Sequence, residues 1–201
     1  MKKLIAGVVL GMGLSVAAYG AGDPEAGEAE AGACVACHGE AGAAPTQAVY
    51  PKIAGLGENY LYDQLVAIRD GVREIPEMTG LLDDKSDEDL ENLAAYFDQE
   101  DMPLSQADPD LVDDGEALYK GGNLASGVAA CAACHSPTGK GNEPAAYPHL
   151  GGQSADYVVK SLEDYRDGER DGPQAQIMVD IASKLTDEEI KAVASYISGL
   201  H

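Results

Sequence analysis

Two five-residue stretches concentrate the reactive side chains of this chain: Cys34-Val35-Ala36-Cys37-His38 and Cys131-Ala132-Ala133-Cys134-His135. Two cysteines three positions apart on a helical turn can reach both vinyl groups of one haem and form thioethers. The histidine that follows at once then presents its imidazole to the iron. Competing chemistries fit less well. A thioredoxin-like dithiol does not require the histidine and belongs beside a βαβ pattern, which is absent here. Zinc wants four ligands, and each stretch supplies three. Four cysteines in an exported chain would ordinarily suggest two disulfides, but here each pair is closely spaced and followed directly by histidine. The expectation is two covalent haem c groups, one per stretch.

The sixth iron ligand follows by elimination. Between residues 21 and 107 the sole histidine is His38, which excludes bis-histidine ligation inside that half. Beyond residue 20 the methionines are Met78, Met102 and Met178. A lone methionine usually fills core space, but Met78 and Met178 hold equivalent places in the repeat described next. Met102 stands alone before Pro103. The expected iron ligands are therefore His38 with Met78 and His135 with Met178, and His/Met ligation predicts relatively high potentials. His149 could compete with Met178, yet its repeat equivalent is Lys52; His201 is expected to be solvated. No residue is expected to be catalytic.

An internal duplication organises the chain. At an offset of 97 the Cys-Cys-His sets superpose, as do Tyr50-Pro51 on Tyr147-Pro148, Tyr60 on Tyr157, and Arg69-Asp70-Gly71 on Arg166-Asp167-Gly168. Past that point the offset is 100, aligning Met78 with Met178 and Ser86-Asp87-Glu88 with Thr186-Asp187-Glu188. A three-residue insertion in the second half explains the change. The expected organisation is an export signal over 1–20, one domain over 21–99, a proline-containing linker over 100–109 and a second domain over 110–201.

Each copy reads as helical. Tyr60, Leu61, Gln64, Leu65 and Ile68 recur at three- and four-residue spacing up to Gly71. Ser86 with Asp89, and Thr186 with Glu189, are placed as capping boxes before the last helix of each half. No alternating run argues for sheet. With one Phe and no Trp in the chain, the apolar core of one half is marginal, and a haem would supply the missing volume. Pro51 and Pro148 lie 13 residues after their histidines. Each could offer its carbonyl to imidazole Nδ1 or simply make a rigid turn. Arg69 and Arg166 could pair with haem propionates or be ordinary helix-end arginines.

Lys2 and Lys3, an apolar run to about Ala18 and the small residues Ala18-x-Gly20 read as an export signal, which places the mature start at Ala21 and the protein in the periplasm. No later segment is long and apolar enough to span a bilayer. The formal charge of −22 becomes −24 without the two lysines. Such a surface repels nucleic acid and attracts basic proteins in a salt-dependent way, or only keeps the chain soluble. The first half, 21–107, carries 19 acids against 4 bases and the second 16 against 7. The more negative surroundings should lower the first haem's potential.

Taken with Ala21-Gly22-Asp23, Tyr60-Leu61, Gln64-Leu65, Glu77-Met78-Thr79-Gly80, Leu90-x-x-Leu93-Ala94-Ala95-Tyr96-Phe97 and Tyr196-Ile197-Ser198-Gly199-Leu200-His201, the duplicated motif resembles the dihaem cytochromes c4. The resemblance implies an all-α protein of two tandem class I cytochrome c domains in a pseudo-twofold arrangement, with haem edges near each other at the domain interface. It also implies a monomeric periplasmic carrier, taking electrons from a quinol-oxidising complex, passing them toward a haem-copper oxidase and associating peripherally with the membrane. The strong acidity departs from the expected docking surface. Two other readings stay open: a cytochrome subunit of a larger oxidoreductase such as a sulfide-oxidising flavocytochrome, and a haem peroxidase or sensor with a labile sixth site.

Overall fold

A computed structural model describes residues 22–201 of the chain. The expected export signal and Ala21 lie outside the described residues. Nine α-helices and three short 3-10 turns run through the described part, with no strand; the extended pairing is limited to two isolated bridges, Asn123 with Val128 and Asn142 with Tyr147.

The first half holds α1 (Pro24–Glu30), α2 (Gly32–His38), α3 (Glu58–Arg69) and α4 (Asp87–Asp98). The second holds α5 (Val112–Gly121), α6 (Ala132–His135), α7 (Ala155–Asp167), α8 (Gln176–Ala182) and α9 (Asp187–Gly199). Local chemistry sets the boundaries. Asp23 caps α1 by accepting from the amides of Glu25 and Ala26, with Pro24 in the first turn. Both expected capping boxes are formed, Ser86 with Asp89 on α4 and Thr186 with Glu189 on α9. Gly71 and Gly168 follow α3 and α7 at φ of 70° and 78°, the left-handed backbone in which glycine ends a helix at little cost.

In each half the first helix crosses the last at a glycine. A Cβ on Gly27 would overlap the carbonyl of Asn92 and the side chain of Tyr96; a Cβ on Gly115 would overlap the carbonyl of Ala192 and the side chain of Tyr196. Ala192 and Tyr196 are the repeat equivalents of Asn92 and Tyr96. Gly27 and Gly115 are therefore equivalent too, at an offset of 88 that a search at 97 passes over. The nine extra residues form the loop between α5 and α6 that carries the Asn123–Val128 bridge.

Behind these crossings lie two apolar cores. One contains Leu61, Leu90, Leu93, Phe97 and Met102, the other Leu118, Tyr119, Leu162, Ile190 and Val193. Burying each leucine or isoleucine contributes about 1.5–3 kcal/mol. Met102, without a repeat partner, is a core residue.

The stretch joining α4 to α5 is strapped down on both sides. Met102 sits in the first core, the Ser105 amide donates to Ser198 O (2.9 Å), and the Asp108 amide donates to Ser195 Oγ (2.8 Å).

The halves also bond reciprocally. The Lys52 ammonium donates to Gly152 O (2.7 Å), and His149 Nδ1 bonds Gly55 O (3.1 Å). The Lys52 amide donates to Gln153 Oε1 (2.9 Å), and the His149 amide to Leu56 O (3.2 Å). Each pair is the other shifted by 97, so like surface meets like surface, the signature of a twofold contact.

Candidate haem sites

α2 and α6 place the two motifs, and the loop after each returns a proline carbonyl to the histidine. His38 Nδ1 lies 2.9 Å from Pro51 O, and His135 Nδ1 lies 3.0 Å from Pro148 O. A carbonyl can only accept, so Nδ1 carries the proton and Nε2 keeps its lone pair. The prolines thus do more than turn the chain. They fix the tautomer that a metal needs. Burial pushes both imidazoles below the ordinary histidine range, and the carbonyl bonds partly oppose it.

All four cysteines are unpaired. Burial raises the Cys34 thiol and pushes Cys131 up to about 11. A redox-active dithiol has a cysteine whose pKa is lowered. These thiols are shifted the other way, as suits residues held against an apolar group.

In the second half a cavity of about 460 Å³ brings Cys131, Cys134, His135 and Met178 together. Its size is typical of cofactor sites. Met178 lies on α8 and packs against the second core; Met78 ends the short 3-10 turn Pro76–Met78 and packs with Cys34 against the first. Two thiols, a bare imidazole Nε2, a thioether sulfur and mainly apolar walls form a donor set that fits haem c.

The cavity is not closed by its own domain. Tyr60, Gln64 and Arg73 of the first half line it alongside Tyr157 and Arg170 of the second. Arg170 donates to Tyr60 Oη (3.0 Å) and Gln64 Oε1 (2.7 Å), with its guanidinium 4.5 Å over the Tyr165 ring. Arg73 donates to Gln64 Oε1 (2.8 Å) and Tyr157 Oη (3.4 Å). Tyr60 and Tyr157 are repeat equivalents, as are Arg73 and Arg170, so the pairs cross the interface both ways. Burial resists ionisation of Tyr157, but Arg73 and Arg170 outweigh it and draw its pKa below the ordinary phenol range. Neither arginine has a carboxylate partner among the described residues.

Arg69 and Arg166, the arginines read from the sequence as propionate donors or helix-end residues, are the latter. Arg69 bonds Asp70 and Asp87, and Arg166 bonds Asp167 and Asp187, tying α3 to the start of α4 and α7 to the start of α9. The arginines that face the cavity stand four residues further on. Their common offset of 97, just past the helix-ending glycines, was the available signal. His149 is committed to the interface through Gly55, and His201 is exposed.

Known proteins share this arrangement. The family model Cytochrome c matches residues 112–201, and the model Cytochrome C oxidase, cbb3-type, subunit III matches residues 23–97. Cytochrome c4 of Pseudomonas aeruginosa is 50% identical over the whole of both chains. The chain belongs to the cytochrome c4 family. The crystal structure of reduced recombinant cytochrome c4 from Pseudomonas stutzeri superposes with a TM-score of 0.86 at 46% identity, covering 90% of this chain and 100% of that one. A thiosulfate dehydrogenase electron acceptor of Thiomonas intermedia is 33% identical over 98% of this chain and 91% of its own. As a cytochrome c4 the chain holds two covalent haem c groups, one in each helical domain, and is an electron-transfer protein rather than an enzyme.

Proposed function

We propose that this cytochrome c4 carries electrons in the periplasm from a quinol-oxidising complex toward a haem-copper terminal oxidase. Cys34, Cys37, His38 and Met78 hold the first haem, and Cys131, Cys134, His135 and Met178 the second. The two domains run over 21–99 and 110–201, joined by 100–109. The observation that carries the ligand reading is the cavity on which Cys131, Cys134, His135 and Met178 converge. Bound haem iron supplies a one-electron couple. The residues do the rest: the proline carbonyls orient the histidines, the apolar walls exclude water, and Arg73 and Arg170 would meet the haem carboxylates as charge-assisted donors.

For the direction of transfer, the support is the likeness of residues 23–97 to a subunit of a cbb3-type oxidase. A second reading rests on the thiosulfate dehydrogenase electron acceptor, at 33% identity. In it the chain takes electrons from a dedicated oxidoreductase, the same class as a flavocytochrome subunit. Stopped-flow mixing separates the two: the reduced protein should be oxidised rapidly by a cbb3-type oxidase. Slow oxidation, with rapid reduction by a co-purifying dehydrogenase, would favour the second.

A further inference from the structure

We propose that Lys52 is a buried positive charge at the domain interface that raises the potentials of both haems. The proposal rests on the ligand assignment above.

Positions 52 and 149 are equivalent in the duplication. Each directly follows the proline whose carbonyl bonds a motif histidine, and each reaches across the interface to a glycine carbonyl. The difference between them is chemical. The Lys52 Nζ has three acceptors, Pro103 O at 2.5 Å, Gly152 O at 2.7 Å and Ser105 Oγ at 3.0 Å. The two carbonyls can only accept and the hydroxyl can accept a third proton, a set that matches an ammonium group, while burial lowers the Lys52 pKa from its ordinary high value. Pro103 and Gly152 contribute carbonyls and Ser105 a hydroxyl, so no carboxylate cancels the charge, and Lys52 is 8% exposed. At the equivalent place His149 gives Nδ1 to Gly55 O, and its burial keeps the imidazole neutral near pH 7.

A positive charge disfavours the oxidised iron, which carries one more positive charge than the reduced form. Inside the interface that effect is weakly screened, whereas the acidic surface acts through water and fades with salt. The side chain bridges the two loops that serve the motif histidines, its backbone next to Pro51 and its Nζ on Gly152 O, so the charge lies between the two sites and acts on both. This opposes the downward pull of the first half's acidic excess.

The test is a spectroelectrochemical titration of the holoprotein at low and high salt, with the first haem marked by Met78→His in a parallel series. Lys52→Met should lower both midpoints, a shift of about three- to tenfold in the electron-sharing constant with a common redox partner. The shift should persist at high salt. Lys52→Arg should keep the wild-type midpoints, and His149→Lys, which adds a charge rather than removing one, should raise the midpoints. A structural role alone would leave the midpoints where they are. Unchanged midpoints in both Lys52→Met and His149→Lys, with the methionine-to-iron band intact, overturn the proposal. Failure of the ligand assignment shows separately, as absence of that band in the unaltered protein.

Discussion

At the scale of single residues, the motif histidines are prepared before any metal is considered. Pro51 O and Pro148 O can only accept, so each histidine is held in the tautomer whose Nε2 is free. Removing the proposed opposing ligand is then a clean experiment. Met78→Ala and Met178→Ala should each abolish one half of the methionine-to-iron charge-transfer absorbance of the oxidised protein and lower that haem's potential. His149 gives a pH prediction. Burial depresses its pKa, so the folded state favours the neutral ring and its contribution is fully present above the unfolded value of about 6.5. It is lost as pH falls from there toward the folded pKa. His149 is faced by Lys140, Asp98 and Asp101 as well as by the Gly55 carbonyl. Denaturant unfolding at a series of pH values should show stability falling below about pH 6.5, and His149→Gln should flatten the slope.

At the scale of elements, the helices are kept close by glycine where a side chain would collide with the neighbouring backbone. Gly27 and Gly115 let α1 lie on α4 and α5 on α9. Gly115→Ala should destabilise the second domain by about 1–3 kcal/mol, since the obstacle is the Ala192 carbonyl rather than a movable side chain. Thermal unfolding would register this, and Gly121→Ala, with open space at its Cβ, is the control. Arg69 and Arg166 belong at this scale as well. Each clasps the aspartate that opens the last helix, and because both pairs are screened by solvent their removal should barely move the melting temperature.

At the scale of the whole molecule, the two domains form one unit because equivalent loops bond reciprocally and the first domain helps wall the second domain's site. Gln153 is central to this. It is 2% exposed and exchanges both its amide groups with the backbone of Lys52. Gln153→Ala leaves a buried N–H and C=O without partners, at about 1–3 kcal/mol each. Calorimetry should show the single transition broaden or divide as the domains uncouple. The surface acts at this scale too. A formal charge of −22 over the full chain should make electron transfer to a basic partner fast at low salt and steeply slower as salt rises. A rate flat in ionic strength would remove the steering role and leave the acidity to solubility.

The amino-acid sequence by itself determined the cofactor, the duplication, the candidate ligands and the helical class. These depend on local chemistry: two thiols and an imidazole on one turn, capping boxes at Ser86 and Thr186, glycines 71 and 168 behind their helices. Met178 was legible by elimination, and the structure sets it in the cavity with Cys131, Cys134 and His135. What only the tertiary structure decided was everything that crosses between distant segments. Pro51 as an acceptor, Met102 as core, and Arg73 and Arg170 rather than Arg69 and Arg166 at the cavity each depend on where a side chain points after the domains dock. The offset of 88 between Gly27 and Gly115 was hidden by a loop that changes spacing without changing contact. Lys52 is the clearest case, since a lysine in a sequence reads as solvated and only packing can surround its charge with three acceptors.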